Sequence, residues 1–388
     1  VSKKVIFYGV SSHLGGAERS LLDFLIYYKK DKKPDDFFVL LPKEQGPLIE
    51  KLKEHSITYK VIHFPTFWSH LSRQSLSSKV KFFLLGLPAY LFYLIRLHSF
   101  LKKEAPSAIH STGIKCHISL CLLNAFLPTR IVIHFRDLLG APSLQKFFLC
   151  FKGKPNITWI AASAAIGKTF PNLPMDVVYC GFSETQYFPA KNKYLHDLLK
   201  LPHDHKLIGL VGVFARWKGQ KEFILAAHRA LPQLKNCHFL LIGGQIYDTL
   251  GERGFTENLH KLVDALDRNE HIHFVPFQSS PQLVYNSLDL LVHCSIEPEP
   301  FGRVIVEGIF CEIPVVAAGA GGALEIIRDE TYGLLHTPGD YQDLANKMLQ
   351  SLGDPDRSEK AKIAAQKTRH NYSFEGRFAI LKEIMDKN

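Results

Sequence analysis

Two cations and two carboxylates in the second half of this sequence stand where chemistry on a phosphorylated ligand would need them. Arg216 and Lys218 lie in the stretch Gly212 to Gln220, directly after an apolar run. A planar guanidinium fork beside a compact ammonium suits a departing diphosphate, which gains negative charge as its bond breaks. By spacing alone, two exposed loop cations are the commoner reading. Glu299 and Glu307 bracket a second stretch, in which Pro300, Phe301, Gly302 and Arg303 lead from a loop into the apolar run Val304 to Val306. If a helix begins near Gly302, its free amides face a phosphate and both acids point into one cleft. There the carboxylates can accept hydrogen bonds from sugar and ribose hydroxyls. An acid set among Val304, Ile305, Val306 and Ile309 is costly to bury without such partners, and a simple surface glutamate fits those neighbours poorly.

Two glycine-bearing loops accompany them. Gly15 and Gly16 open the run Gly15 to Arg19, just before the helical pattern Leu21 to Tyr28, where backbone amides can approach a phosphate. Taken alone, such a pair is more often a tight turn. It is neither the dinucleotide fingerprint nor a Walker loop, which counts against NAD and ATP chemistry. Gly319, Gly321 and Gly322 form the other loop, on whose amides a sugar ring or phosphate can rest. Glu325 reads as an acid at a helix start with a structural role.

Parallel strands joined by helices must position these loops. Short Val-, Ile-, Leu- and Phe-rich runs at 4–8, 37–41, 58–63, 108–110, 130–134, 158–161 and 177–179 imply one doubly wound α/β sheet. A second series at 207–213, 238–242, 272–275, 288–293, 314–317 and 333–335 implies another. The fold class expected is therefore two Rossmann-like doubly wound domains facing across a cleft. Ligands of such sheets bind in the loops after the strands, where the four motifs fall. Residues 181–205, with Pro189 and Pro202, read as a linker. The expected division is an acceptor-binding domain at 1–185, a nucleotide-sugar-binding domain at 186–370, and a closing helix at 371–388 that crosses back onto the first domain. Helical patterns at 341–352, 358–368 and 373–385 supply more helix than one sheet layer requires.

With 388 residues, 46% of them hydrophobic, the chain can bury two cores. Its charge is uneven. Residues 1–185 hold 24 Lys and Arg against 12 Asp and Glu, and the remainder holds 23 against 25. A basic half can attract nucleic acid, an anionic membrane or a phosphorylated acceptor, and is equally read as a solvated surface. The apolar run 82–95 is broken by Gly86 and Pro88 and is short of the roughly 20 residues that cross a bilayer. The wider segment 80–98, with Lys79, Lys81 and Arg96, reads first as a core helix and second as a membrane-surface helix. Seven cysteines form no paired or zinc-type spacing and are expected to be reduced and mostly buried. With no secretory signal legible, the expected location is cytoplasmic, at most peripheral to the inner face of a membrane.

At these residues the sequence resembles the family 4 retaining glycosyltransferases of GT-B fold, also described as glycosyl transferases group 1. The likeness runs through the opening Gly15–Arg19, the segment 217–220, the Glu299–Glu307 spacing, the glycine loop and the stretch 333–340. It implies a metal-independent transfer of a sugar from a nucleotide-sugar donor, UDP- or GDP-linked, to a glycan, lipid-linked or lipopolysaccharide-type acceptor of the cell envelope. The anomeric configuration is retained, and no cofactor is implied beyond the donor substrate. Lys218 and Arg216 would then hold the diphosphate, Glu299 the donor sugar and Glu307 the ribose, with Phe301, Gly302 and Arg303 beside them and Gly15 and Gly16 on the other wall. Many relatives carry an arginine where this chain has Val213, and Arg216 is the replacement nearest in sequence. His134, at a strand end, matches a position often close to the reacting sugar, against the ordinary reading of a half-buried histidine. The rivals are a sugar-nucleotide epimerase of the same fold, which would act with no acceptor, and a basic nucleic-acid-binding protein using Tyr27, Phe67 and Trp68.

Overall fold

The computed structural model describes residues 4–9, 11–65, 86–245 and 254–386. Phe67, Trp68, Lys79, Lys81 and the part of the apolar segment before Gly86 lie outside them. The chain divides into two compact units, one of residues 1–181 with 375–388, the other of residues 182–374.

The first unit is built on seven strands, β1 (Val5–Gly9), β2 (Phe37–Leu41), β3 (Tyr59–Val61), β4 (Ala108–Thr112), β5 (Arg130–Phe135), β6 (Ile157–Ala161) and β7 (Asp176–Val177). Their order is β3-β2-β1-β4-β5-β6-β7, and each pairing is parallel. Every residue of β1 and β2 is buried, because helices cover both faces of such a sheet. The sequence order reverses at β1, which lies between β2 and β4, so a switch point falls beside the loop that carries Gly15 and Gly16.

A helix from the other end of the chain completes this unit. In the helix Phe374–Asp386, Phe378 meets Phe24 edge-on at 5.3 Å between ring centroids. Tyr28 donates to the Asp386 carboxylate at 2.8 Å, and Arg130 donates to the Met385 carbonyl at 2.7 Å.

The helix Leu87–Glu104 answers to neither sequence reading alone. Tyr90, Tyr93, Leu94, Leu97 and Leu101 are buried, as in a core helix. Its other face leaves Leu91, Phe92 and Ile95 exposed. A pattern apolar all round does not say which side meets the sheet, and here only one does. No helix among the described residues is long and apolar enough to cross a membrane.

The second unit has six parallel strands, β8 (Lys206–Val213), β9 (Cys237–Gly244), β10 (Ile272–Val275), β11 (Leu290–His293), β12 (Val315–Ala318) and β13 (Leu334–His336). They run in the order β10-β9-β8-β11-β12-β13, which puts the switch point between β8 and β11. The segment read as a linker is part of this unit. Phe182, Tyr187 and Leu195 are buried, Phe182 bridges to Ser373, and residues Tyr194–Leu199 form a helix. Its prolines and polar surroundings obscure three apolar anchors. The seven cysteines are free thiols, all buried except Cys150.

Candidate functional site

The loops after β8 and β11, the two strands that flank the switch point, are locked to each other by backbone contacts. After β8 the chain passes through a 3-10 turn, Arg216–Lys218, into the helix Gln220–Ala230. Gly219 joins them at φ +73°, and a Cβ there would lie 2.0 Å from the Cys294 carbonyl oxygen, so only glycine permits the approach. Ile296 donates its amide to the Trp217 carbonyl at 2.8 Å, and the Cys294 thiol donates to the Gly219 carbonyl at 2.9 Å.

This junction sets the ion pair Lys218–Glu299, with Nζ 2.6 Å from Oε1. The same oxygen lies 3.0 Å from His293 Nε2 and accepts a hydrogen bond from Ser295 Oγ. Burial opposes the charge on Glu299, yet the His293 imidazole and the Lys218 ammonium hold its carboxyl well below the usual range. It is a carboxylate at neutral pH. All three partners converge on Oε1, which leaves Oε2 able to accept from a ligand hydroxyl.

Gly302 caps the next helix, Arg303–Phe310, at φ +96°, close to the start the sequence implies. Glu307, one turn into it, is 8% exposed. It accepts from Tyr285 Oη at 2.6 Å, and its other oxygen lies 3.4 Å from Arg303 Nε. Burial and the adjacent carboxylate push the Tyr285 phenol well above its usual range, so it remains a donor. The Arg303 guanidinium also lies 4.7 Å over the ring of Phe182. Glu299 and Glu307 are thus each held in a group of their own, Lys218, His293 and Ser295 around the first, Tyr285 and Arg303 around the second.

Phe301 differs from expectation. Its side chain is buried and stacks on Phe182 at 6.1 Å, so it is not free to contact a ligand. The glycine loop after β12 is explained by packing. A Cβ on Gly321 would fall 2.2 Å from the Glu299 carbonyl oxygen and one on Gly322 2.4 Å from Phe301 Cα. The Gly322 amide is already spent on Glu299 O at 2.9 Å. These glycines seat the glutamate loop, whereas the sequence suggested a platform for a ligand. Arg216 is exposed, with its guanidinium 5.3 Å over Phe255.

The remaining candidates belong to the first unit. Gly15 caps the helix Gly16–Lys29, and its carbonyl accepts from the Arg19 amide at 2.9 Å. Arg136, just past β5, donates to the Ala17 carbonyl at 2.9 Å and so ties that helix start to the end of β5. His134 on β5 is fully buried rather than half-buried, with Nδ1 3.0 Å from His110 Nε2. Sequence reasoning did not single out His110, His293, Ser295 or Tyr285. A histidine within β4 and one that closes the apolar run of β11 are the available signals. The others become partners only through tertiary packing.

Two parallel six- and seven-stranded sheets, each doubly wound, are the GT-B architecture of glycosyltransferases. Residues 194–368 match the family described as Glycosyl transferases group 1. The D-inositol 3-phosphate glycosyltransferase of Mycolicibacterium smegmatis is 32% identical over 180 residues, covering 45% of this chain and 40% of the relative. The protein of the same description from Mycobacterium leprae is 30% identical over 186 residues, covering 47% and 42%. The chain thus spans about two fifths of the length of the curated relatives it matches. Among solved structures, HepE of Anabaena in complex with UDP and glucose superposes with a TM-score of 0.81 at 25% identity, covering 100% of both chains.

Proposed function

We propose that this protein is a retaining, metal-independent glycosyltransferase that takes its sugar from a nucleotide-sugar donor, with UDP-glucose-type donors foremost. The observation that carries the reading is the Lys218–Glu299 pair, held by loops that leave the two strands of a switch point. In this reading Lys218, aided by Arg216, turns to the donor diphosphate and stabilises its charge as the bond to the sugar breaks. Glu299 offers Oε2 to a sugar hydroxyl, and Glu307 accepts from the ribose. Amides at Gly302 and Arg303, and the backbone of Phe301, face the phosphates. In the first unit, Gly15 and Gly16 supply amides and His134 a contact to the reacting sugar. The acceptor hydroxyl attacks the anomeric carbon on the face the diphosphate leaves, and its proton passes to that diphosphate. HepE, which binds UDP and glucose, supports the choice of nucleotide.

The test requires no acceptor. At a concentration a hundredfold above Kd, a ligand that binds only the folded state adds about 2.7 kcal/mol, a rise of about 5–10 °C in Tm for a unit of this size. UDP is expected to give this shift in a thermal-unfolding assay and Lys218→Ala to abolish it. No shift with UDP, GDP or their sugars sinks the reading, and conversion of a UDP-sugar with no acceptor present would favour the epimerase.

A lipid-linked acceptor at an anionic membrane surface is favoured by one face of the first unit. Phe92 and Ile95 are 62% and 64% exposed, and Phe126, whose ring lies 6.1 Å from that of His98 on the same helix, is 70% exposed. Arg96 lies 6.0 Å over the Phe92 ring, and Lys102 and Lys103 follow in the last turn. Apolar side chains rimmed by cations fit a bilayer bearing anionic headgroups. Cosedimentation with phosphatidylglycerol vesicles is expected at low salt, and Phe92→Ser with Ile95→Ser is expected to weaken it about tenfold or more. Equal sedimentation of the double variant removes this surface from the proposal.

A further inference from the structure

The first unit contains a pair of buried histidines whose protons cannot all be satisfied by the protein. His110 on β4 and His134 on β5 are 0% and 2% exposed. They sit diagonally across neighbouring strands, since His134 is level with Thr112 and His110 with Val132. Their one shared contact runs from His110 Nε2 to His134 Nδ1 at 3.0 Å. The two remaining ring nitrogens, His110 Nδ1 and His134 Nε2, are buried with no hydrogen-bond partner. Burial, with the Arg136 charge nearby, holds both imidazoles well below their usual range, so each carries one proton at neutral pH.

Only two arrangements satisfy the shared contact. In one, His110 donates from Nε2, and His134 must then carry its own proton on Nε2. In the other, His134 donates from Nδ1, and His110 carries its proton on Nδ1. Either way one buried N–H is left without an acceptor, and a buried orphan donor is costlier than an orphan lone pair on imidazole. The two arrangements differ in where that donor sits. His110 is in mid-strand with the ring of Phe7 5.5 Å away, Phe7 itself being flanked by Phe24 and Tyr28, and its Nδ1 has no acceptor. His134 is one residue from the end of β5, at the edge of the sheet where ligands of doubly wound folds bind. A ligand oxygen bound at that strand end comes nearer to His134 than to His110, although His134 Nε2 itself is covered in the ligand-free protein.

We propose that His110 is a positioning residue that fixes His134 as the tautomer protonated on Nε2, so that an N–H donor awaits a sugar hydroxyl oxygen at the end of β5. The inference rests on the reading of His134 as a ligand contact and adds the device that orients it. It makes His134 a hydrogen-bond donor and not a general base, because its lone pair is occupied by His110. Ligand binding that uncovers His134 Nε2 then satisfies a buried unsatisfied donor, which favours binding.

Ring-nitrogen spectra of the full chain with 15N-labelled histidine test this directly, with the His134 signals assigned by their loss in His134→Gln. The expected result is a protonated Nε2 and an unprotonated Nδ1 on His134 in the ligand-free protein. His110→Phe, which keeps the ring and removes the donor, is expected to give a mixture of tautomers. His110→Gln, whose amide can donate to Nδ1, is expected to restore the single form. Transfer is expected to fall about tenfold in His110→Phe and to recover in His110→Gln, with UDP affinity unchanged in both. A wild-type His134 protonated on Nδ1 overturns the proposal even if neither His110 variant folds, and so does a tautomer unaffected by His110→Phe. If UDP fails to bind, the glycosyltransferase reading fails, while the spectra still decide the tautomer.

Discussion

Lys218→Ala is expected to slow glycosyl transfer by about two to three orders of magnitude, the range found when one preorganised charge-stabilising donor is removed. In the ligand-free protein the ammonium is neutralised by Glu299 at 2.6 Å. A diphosphate carries more charge than one carboxylate and competes for it, so Lys218 exchanges one anion for another with little reorganisation. The cost of the substitution to folding is expected to be small, about 1 kcal/mol, because His293 and Ser295 still bind Glu299 Oε1. Steady-state turnover of a UDP-sugar and a denaturant melt of the same variant separate the two effects. Turnover within threefold of wild type would remove Lys218 from the chemistry. Lys218→Arg preserves charge but spreads it over a planar fork, and is expected to recover nucleotide affinity more fully than rate.

The second large effect is expected at Glu307, where binding and stability are entangled. Glu307→Ala leaves the Tyr285 hydroxyl and the Arg303 guanidinium without their buried acceptor. Breaking such a group costs about 3–5 kcal/mol of folding free energy, and the second unit is expected to melt well below the first. Glu307→Gln isolates the other role. Its amide oxygen still accepts from Tyr285, so stability is expected to stay near wild type, whereas the loss of a charged acceptor for a ribose hydroxyl weakens UDP by about ten- to a hundredfold. Calorimetric titration reads this directly. Unchanged affinity in Glu307→Gln would make Glu307 a structural residue alone.

Much of the fold can be read from the chain because a strand buried on both faces leaves an uninterrupted apolar run. Phe37–Leu41 coincides with the run that announces it. At β7 the signal is weakest: the run at 177–179 gives way to Asp176–Val177, whose residues are exposed and lack that imprint. The site divides in the same way. Lys218, Glu299 and Glu307 are conspicuous by residue type and by their place after strands. Their partners are not, since the hydroxyl of Tyr285 and the imidazole of His293 come to them through packing that no local spacing encodes. Gly321 and Gly322 show the opposite difficulty: they resemble a phosphate loop, and their lack of side chains serves a neighbouring backbone.

The helix Phe374–Asp386 gives the first unit an unusual dependence on time. A nascent chain that has emerged only to residue 181 holds the whole seven-stranded sheet, yet Phe24 has no Phe378 to meet and Arg130 no Met385 carbonyl to bind. That lobe completes its packing only after nearly two hundred further residues have been translated, so the lobe begun second can finish first. Deletion of Phe374–Asp386 would therefore injure the unit whose strands were made some two hundred residues before it.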